Sequence, residues 1–277
     1  MALIARFALA VWIALLILPS DLGAWGRTGH RLINRNAIEL LPKPLNKFYK
    51  KHKRTIVDES VAPDDWKRWD KSEGPRHYID IDLHEKYPFP SFPMSREKAV
   101  ERFGKKAVTE SGTLPWRIEE FYGLLVKAFR DRNWEDAVQL SAHIGHYIGD
   151  LHQPLHNTAN HDGQLTGSKG VHQMFEEAMV DAHQKDFILD QSAEIYEIKD
   201  ILAFAFQATR EGYPDVQTIL NADLAGRTNG RKRAPVYLRT LYRDSGEVAR
   251  RRIQAASVAL ASVWHQAWVN AGRPELK

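Results

Sequence analysis

The sequence predicts an all-α fold, built as a single multi-helix domain. Three observations lead there. Apolar residues recur at the three- and four-residue spacing of helices, and Pro, Gly and Asn punctuate the segments between them. No convincing series of alternating apolar and polar residues marks strands. With 277 residues, 43% of them hydrophobic, the chain can bury one large core, and its composition shows neither disorder nor a repeat array.

The first two dozen residues differ in kind from the rest. Arg6 precedes an apolar run from Phe7 to Pro19, and the small residues Gly23 and Ala24 then lead into Trp25. The run is shorter than the ~20 apolar residues of a spanning helix, so residues 1–24 are expected to be a signal peptide. Residues 25–277 would then form the mature domain of a secreted or periplasmic protein. Export usually invites disulfides, yet the chain has no cysteine. Stability outside the cytoplasm must therefore come from packing or from bound metal. A net charge of +4 favours anionic partners only weakly.

In the mature region, residues 30–41 form the first expected helix, closed by Pro42 and Pro44. The stretch from Tyr87 to Met94 holds three prolines and is expected to be an irregular connection. Asn133 is an N-cap for a helix from Trp134 to about His152, with Glu135 and Asp136 favourably placed in its first turn. Pro154 removes a backbone donor and pushes Gln153 out of helical geometry, so that helix should stop there. A further helix is expected over "GVHQMFEEAMV", with Val171, Phe175 and Met179 at core spacing. The basic run "GRKRAPVYLR" is taken as a solvated loop. Ile253, Ala256, Leu260, Val263, Trp264 and Ala267 then mark a last helix by their core stripe.

Chemistry concentrates in "HYIGDLHQPLH", residues 146–156. Projected at 100° per residue, Ala137, Leu140, Ile144, Ile148 and Leu151 make an apolar face, while Gln139, His143, His146 and Asp150 gather on another. His146 and Asp150 are one turn apart, so an imidazole and a carboxylate can reach one cation together. A solvated polar face has the same pattern. His156 would follow from the turn after Pro154. His172 and Glu176 form a second one-turn pair, which spacing alone does not distinguish from an ordinary surface contact. Upstream, "VAPDDWKRW" offers Asp64 and Asp65, and "RHYIDID" offers His77 among residues of extended character. At the mature N-terminus "WGRTGH" lets His30 come near the amine of Trp25. His143 and His152 could serve as outer hydrogen-bond partners. His52, His84, His161, His183 and His265 are assigned to surface or core.

Together, "HYIGDLHQPLHNTAN", "HQMFE" and "WGRTGH" resemble the superfamily of secreted bacterial zinc-dependent phospholipases C and the single-strand-specific zinc nucleases of fungi and plants. The likeness covers nearly the whole mature chain. The first two motifs are phospholipase-like, Glu176 included, apart from Thr158; the short spacing from Trp25 to His30 is nuclease-like. The resemblance implies an all-α domain around a trinuclear zinc cleft. It would place Asp64, His77, His146 and Asp150 around one ion, and His156, His172 and Glu176 around a second. Trp25, through its amine and carbonyl, and His30 would hold a third, bridged to the first by Asp150. Asp64 is preferred to Asp65 as the ligand.

Histidine nitrogen and carboxylate oxygen suit zinc. The charge of three divalent ions would exceed that of Asp64, Asp150 and Glu176 and so attract phosphate and hydroxide. A metal-activated water would attack the phosphorus, with Asp64 able to accept its proton. The expected activity is hydrolysis of a phosphodiester, with phospholipase C action placed ahead of a single-strand-specific endonuclease and 3'-nucleotidase action. A phospholipid substrate would bring transient contact with a membrane surface, and no motif calls for an obligate protein partner. A non-catalytic exported zinc-binding protein is the rival from another class.

Overall fold

The structure, a computed structural model, describes residues 25–277, and the expected signal peptide lies outside them. Helices run through it in the order α1 (Gly26–Leu40), α2 (Leu45–Lys51), α3 (Lys53–Glu59), α4 (Ala62–Trp66), α5 (Arg96–Phe103), α6 (Lys105–Glu110), α7 (Leu114–Arg130) and α8 (Trp134–His152). After these come α9 (Val171–Gln173), a π-helical turn (Met174–Met179), α10 (Val180–His183), α11 (Ile201–Gly212), α12 (Asp215–Asn229) and α13 (Pro235–Asn270). No strand forms among the described residues, nor is any helix there long and apolar enough to cross a membrane.

The helix α8 lies at the centre of the bundle, packed against α1, α3, α7 and α13. From Ile144 to His152 every one of its residues is buried. Beside it, the ring of Trp264 on α13 stacks on Tyr49 of α2 with centroids 4.4 Å apart. Both rings find their polar partner on α8: Tyr49 Oη lies 2.9 Å from Ser141 Oγ, and Trp264 Nε1 donates to the Ser141 carbonyl at 3.1 Å. A buried aromatic with a polar tip thus fixes rotation as well as burial. A smaller cluster of Ile79, Ile81, Phe89, Phe92, Trp116 and Phe206 seals the irregular segment that follows α4.

Three local expectations need correction. Helix α1 begins at Gly26, four residues before His30, because Trp25 adopts a left-handed conformation (φ 45°) and its carbonyl accepts from Gly29 N–H at 3.0 Å. The extended segment around His77 is not a strand, since no neighbouring strand exists to pair with it. Its backbone bonds go to loops instead: Ile79 N–H donates to the His156 carbonyl at 2.8 Å and Asp80 N–H to the Ser111 carbonyl at 2.7 Å. The basic run is a loop only in its first half. Pro235 then opens the 36-residue α13, at the helix start where a missing N–H costs nothing.

Candidate metal centre

Helix α8 forms where it was expected. Asn133 caps it, its side-chain oxygen accepting from Asp136 N–H at 3.3 Å, and Gln153 ends it in extended geometry before Pro154. Its polar face is not solvated, however, because His146 and Asp150 are fully buried. Two glycines explain how α1 covers them. A Cβ on Gly145 would lie 2.1 Å from Asn34 Oδ1, and one on Gly149 would lie 2.8 Å from His30 Nδ1. Only bare backbone at these positions lets the His30 ring stack on His146, with centroids 3.9 Å apart.

Around His146 and Asp150 the fold gathers residues distant in sequence. Asp150 Oδ2 lies 2.9 Å from His77 Nδ1 and 3.4 Å from His146 Nε2, while its other oxygen, Oδ1, lies 3.3 Å from His30 Nε2. Asp64 Oδ1 is 3.6 Å from His146 Nε2 and 3.7 Å from His77 Nδ1. The two oxygens of Asp150 thus face two different sets of nitrogens. Asp65, by contrast, turns outward toward Arg27 and Arg68.

A second cluster forms next to the first. His156 sits in the 3-10 turn Pro154–Asn157, and its Nε2 is 3.0 Å from His172 Nε2. Glu176 Oε2 is 2.8 Å from His172 Nε2 and 3.7 Å from His156 Nε2. The helix expected here is a π-helical turn, a widened form that often marks functional sites. Gln153 Nε2 donates to Glu176 Oε2 at 3.0 Å and holds the carboxylate in place.

These residues fit a metal. Three sets of ligand atoms lie within 4.8 Å of one another: His30, Asp64 and His146; His77, His146 and Asp150; His156, His172 and Glu176. Both ring nitrogens of His30, with Asp150 Oδ1 and Glu176 Oε1, are buried without a hydrogen-bond partner among the described residues. Unpaired buried polar atoms are costly unless a cation or water takes them up. The outward nitrogens are meanwhile occupied by backbone carbonyls: His146 Nδ1 with Ser60 at 2.9 Å, His156 Nδ1 with His77 at 2.6 Å, and His172 Nδ1 with His161 at 3.0 Å. Each such bond fixes the tautomer that leaves Nε2 with a free lone pair. Burial pushes His146 down to about 3, so this imidazole stays neutral and able to ligate at neutral pH. Burial would raise the Asp150 carboxyl, but His146, His30 and His77 outweigh it and hold it well below the usual carboxylate range.

Of the expected residues, Trp25 stands apart in these contacts. Its ring is buried against Phe175, with centroids 5.7 Å apart, and the side chains around His30 are those of Asp64, His146 and Asp150. His143 packs edge-on against Trp66, and His152 Nδ1 bonds to the Ile148 carbonyl of its own helix. Three residues missed by sequence reasoning border the centre. Lys67 Nζ is 2.8 Å from Asp64 Oδ1, buried Glu73 approaches His77, and Asp80 follows His77 with its Oδ1 buried and unpartnered. Spacing could have flagged Lys67, three residues after Asp64; nothing in the sequence marks Glu73.

The sequence profile of the S1/P1 nuclease family matches residues 25–268. The chain belongs to the S1/P1 nuclease family. It is accordingly a phosphodiester hydrolase, and zinc is the metal the family leads one to expect. No curated protein matches the chain by sequence. Among solved structures, it is similar to the alpha toxin from Clostridium absonum, with a TM-score of 0.59 over 93% of this chain at 15% identity. The chain spans slightly under two thirds (66%) of the toxin's length. At that identity the likeness carries the all-α fold and nothing more.

Proposed function

We propose that this S1/P1 family member is a three-zinc phosphodiesterase that hydrolyses its substrate by attack of an activated water on phosphorus. The observation that carries this reading is Asp150, whose two oxygens face His77 and His146 on one side and His30 on the other. Such a carboxylate can bridge two ions. Under this reading His77, His146, Asp64 and Asp150 hold one ion and His156, His172 and Glu176 a second. His30 and Asp150 hold a third, together with the amine and carbonyl of Trp25. When bound, the ions lower the pKa of water and neutralise the charge that develops on phosphate.

The chain's own groups supply the rest. Burial raises the Asp64 carboxyl, but His146, Lys67 and His77 together bring it below its usual value, so at neutral pH it can accept a proton from the attacking water. Lys67, largely buried beside it, adds positive charge on the side where phosphate oxygens must lie. The backbone carbonyls behind His146, His156 and His172 hold those rings in their ligating tautomer, and no nucleophilic side chain is required.

Two substrate classes fit this chemistry. Glu176, the Tyr147 within the long motif and the Asn160 at its end support phospholipase C action. The family match supports cleavage of single-stranded nucleic acid. Parallel assays of the zinc-loaded mature chain on phosphatidylcholine vesicles and on single-stranded DNA decide between them, with bis(p-nitrophenyl) phosphate as a substrate common to both. Zinc binding without turnover of any of the three would overturn the enzymatic reading in favour of zinc storage.

The third ion ties activity to export. Cleavage between Ala24 and Trp25 would create an α-amine with a pKa of about 7.7 to 8.0, which loses its proton easily to become a ligand. A chain carrying extra residues before Trp25 should therefore bind one ion fewer and hydrolyse much more slowly. Equal zinc content and equal rates in the two forms would remove Trp25 from the site.

A further inference from the structure

The outward nitrogens of His146, His156 and His172 all meet backbone carbonyls, but that of His77 does not. His77 turns Nδ1 inward, 2.9 Å from Asp150 Oδ2 and 3.1 Å from His146 Nε2. Its Nε2 is buried and faces Glu73 Oε1 at 3.5 Å. Glu73 is only 1% exposed, yet it is surrounded by donors. Tyr147 Oη donates to Oε1 in a short hydrogen bond, while Arg76 Nη1 at 2.6 Å and Arg117 Nη2 at 3.2 Å donate to Oε2. Arg117 is fixed in turn by Glu120 at 2.9 Å and by Tyr147 Oη at 3.2 Å.

A buried carboxylate held by two guanidiniums and a phenol is ionised and immobile. Burial would raise its pKa, but the hydrogen bonds from His77, Tyr147 and Arg76 and the charge of Arg117 bring it down to about 2. An ionised oxygen facing an imidazole nitrogen favours the tautomer with its proton on that nitrogen. For His77 the proton then sits on Nε2, and the lone pair on Nδ1 points at Asp150 and His146.

We propose that Glu73 is a positioning residue of the metal centre, holding His77 in the Nε2–H tautomer and making its Nδ1 the most basic of the imidazole ligands. Removing such a carboxylate partner lowers metal affinity by about 10- to 100-fold. The two other ring partners within the site are neutral carbonyls or orphaned nitrogens, so the effect should fall on the ion held by His77 and leave the His156, His172 and Glu176 set untouched. The proposal rests on the reading of His77 as a ligand, and the test separates the two.

The experiment uses the mature chain and three variants: Glu73→Gln, Glu73→Asp and His77→Ala. Zinc affinity is measured by competition with a chelator, zinc content by elemental analysis, and apo-protein Tm by calorimetry. Glu73→Gln should bind one ion about 10- to 100-fold more weakly and retain the others. Glu73→Asp keeps the charge for Arg76 and Arg117 but withdraws the carboxylate from His77. It should show about tenfold weaker binding of that ion at a near-native apo Tm. If Glu73→Gln fails to fold, Glu73→Asp alone decides. Unchanged zinc affinity in Glu73→Asp, whether or not the apo Tm falls, would overturn the proposal and leave Glu73 a purely structural ion-pair partner. His77→Ala with a full zinc content would instead remove His77 from the site; loss of an ion there, with unchanged affinity in Glu73→Asp, would remove Glu73 alone.

Discussion

Replacing Gly149 by alanine tests whether the approach of α1 to α8 builds the metal centre. The added Cβ would sit 2.8 Å from His30 Nδ1, 3.0 Å from its Cε1 and 3.4 Å from Ile33 Cδ1. Ordinary contact begins near 3.5 Å, so the His30 ring must move by roughly 0.7 Å. It cannot retreat freely, because its face is stacked on His146. Overpacking of this kind costs about 1–3 kcal/mol, offset in part by the ~1 kcal/mol that alanine gains over glycine within a helix. The net loss of about 1–2 kcal/mol corresponds to a fall in apo Tm of roughly 2–8 °C. The ligand effect should be larger than this, since a metal site tolerates displacements of only about 0.2 Å. Gly149→Ala should therefore bind fewer zinc ions and lose most of its turnover of bis(p-nitrophenyl) phosphate. Gly123→Ala on α7, where the new methyl meets nothing within 4 Å, is the control and should raise the Tm slightly. Wild-type zinc content and rate in Gly149→Ala would refute the argument that bare backbone at this position seats His30.

Other outcomes follow from the same geometry. Chelation should abolish hydrolysis and lower the Tm by about 10 °C, the shift expected when ligand at a thousandfold excess over Kd is removed; calorimetry with and without chelator measures it. Asp150→Asn should reduce kcat/KM by more than about 100-fold, and by more than His172→Ala does, because the carboxylate faces two sets of nitrogens and His172 only one. Zinc titration of both variants checks the order. Burial and the nearby charge of Asp82 push the Asp80 carboxyl up to about 7, so the folded state keeps a proton that the unfolded chain releases near pH 3.8. Stability from this group is complete below pH 3.8 and is lost as pH rises through 7, by an amount on the order of 4 kcal/mol. Asp80→Asn should thus raise the Tm more at pH 8 than at pH 5, and equal gains at the two pH values would contradict the assignment.

How much was legible in the sequence depended on whether the signal was local. The limits of α8 were readable because cap, acidic first turn and terminating proline all lie within one helix length. The two His and acid pairs were visible because one helical turn joins them. The first half of α13 was not, since the charged residues from Arg239 to Arg252 obscure its apolar stripe and the basic loop runs straight into it. The π-helical turn was invisible for another reason: His172 and Glu176 have the same separation in sequence whether the backbone is α or π. Glu73 could not be found at all. Its partners Arg117 and Tyr147 lie 44 and 74 residues away, and only the assembled bundle brings them together.

The irregular segment at His77 gives the two ligand clusters a shared mechanical part. The carbonyl of His77 accepts from His156 Nδ1 at 2.6 Å, and two residues on, Ile79 N–H donates to the His156 carbonyl at 2.8 Å. A ligand of one cluster is thereby hydrogen-bonded on both sides of its own peptide to a ligand of the other. Ordering either ring shortens the conformational search of its neighbour, and by reciprocity the first ion to arrive strengthens the hold on the next. Loading of this centre should accordingly follow a steep isotherm rather than a series of independent steps, so that partly metallated molecules are scarce at intermediate zinc and the enzyme passes from empty to complete over a narrow range of supply.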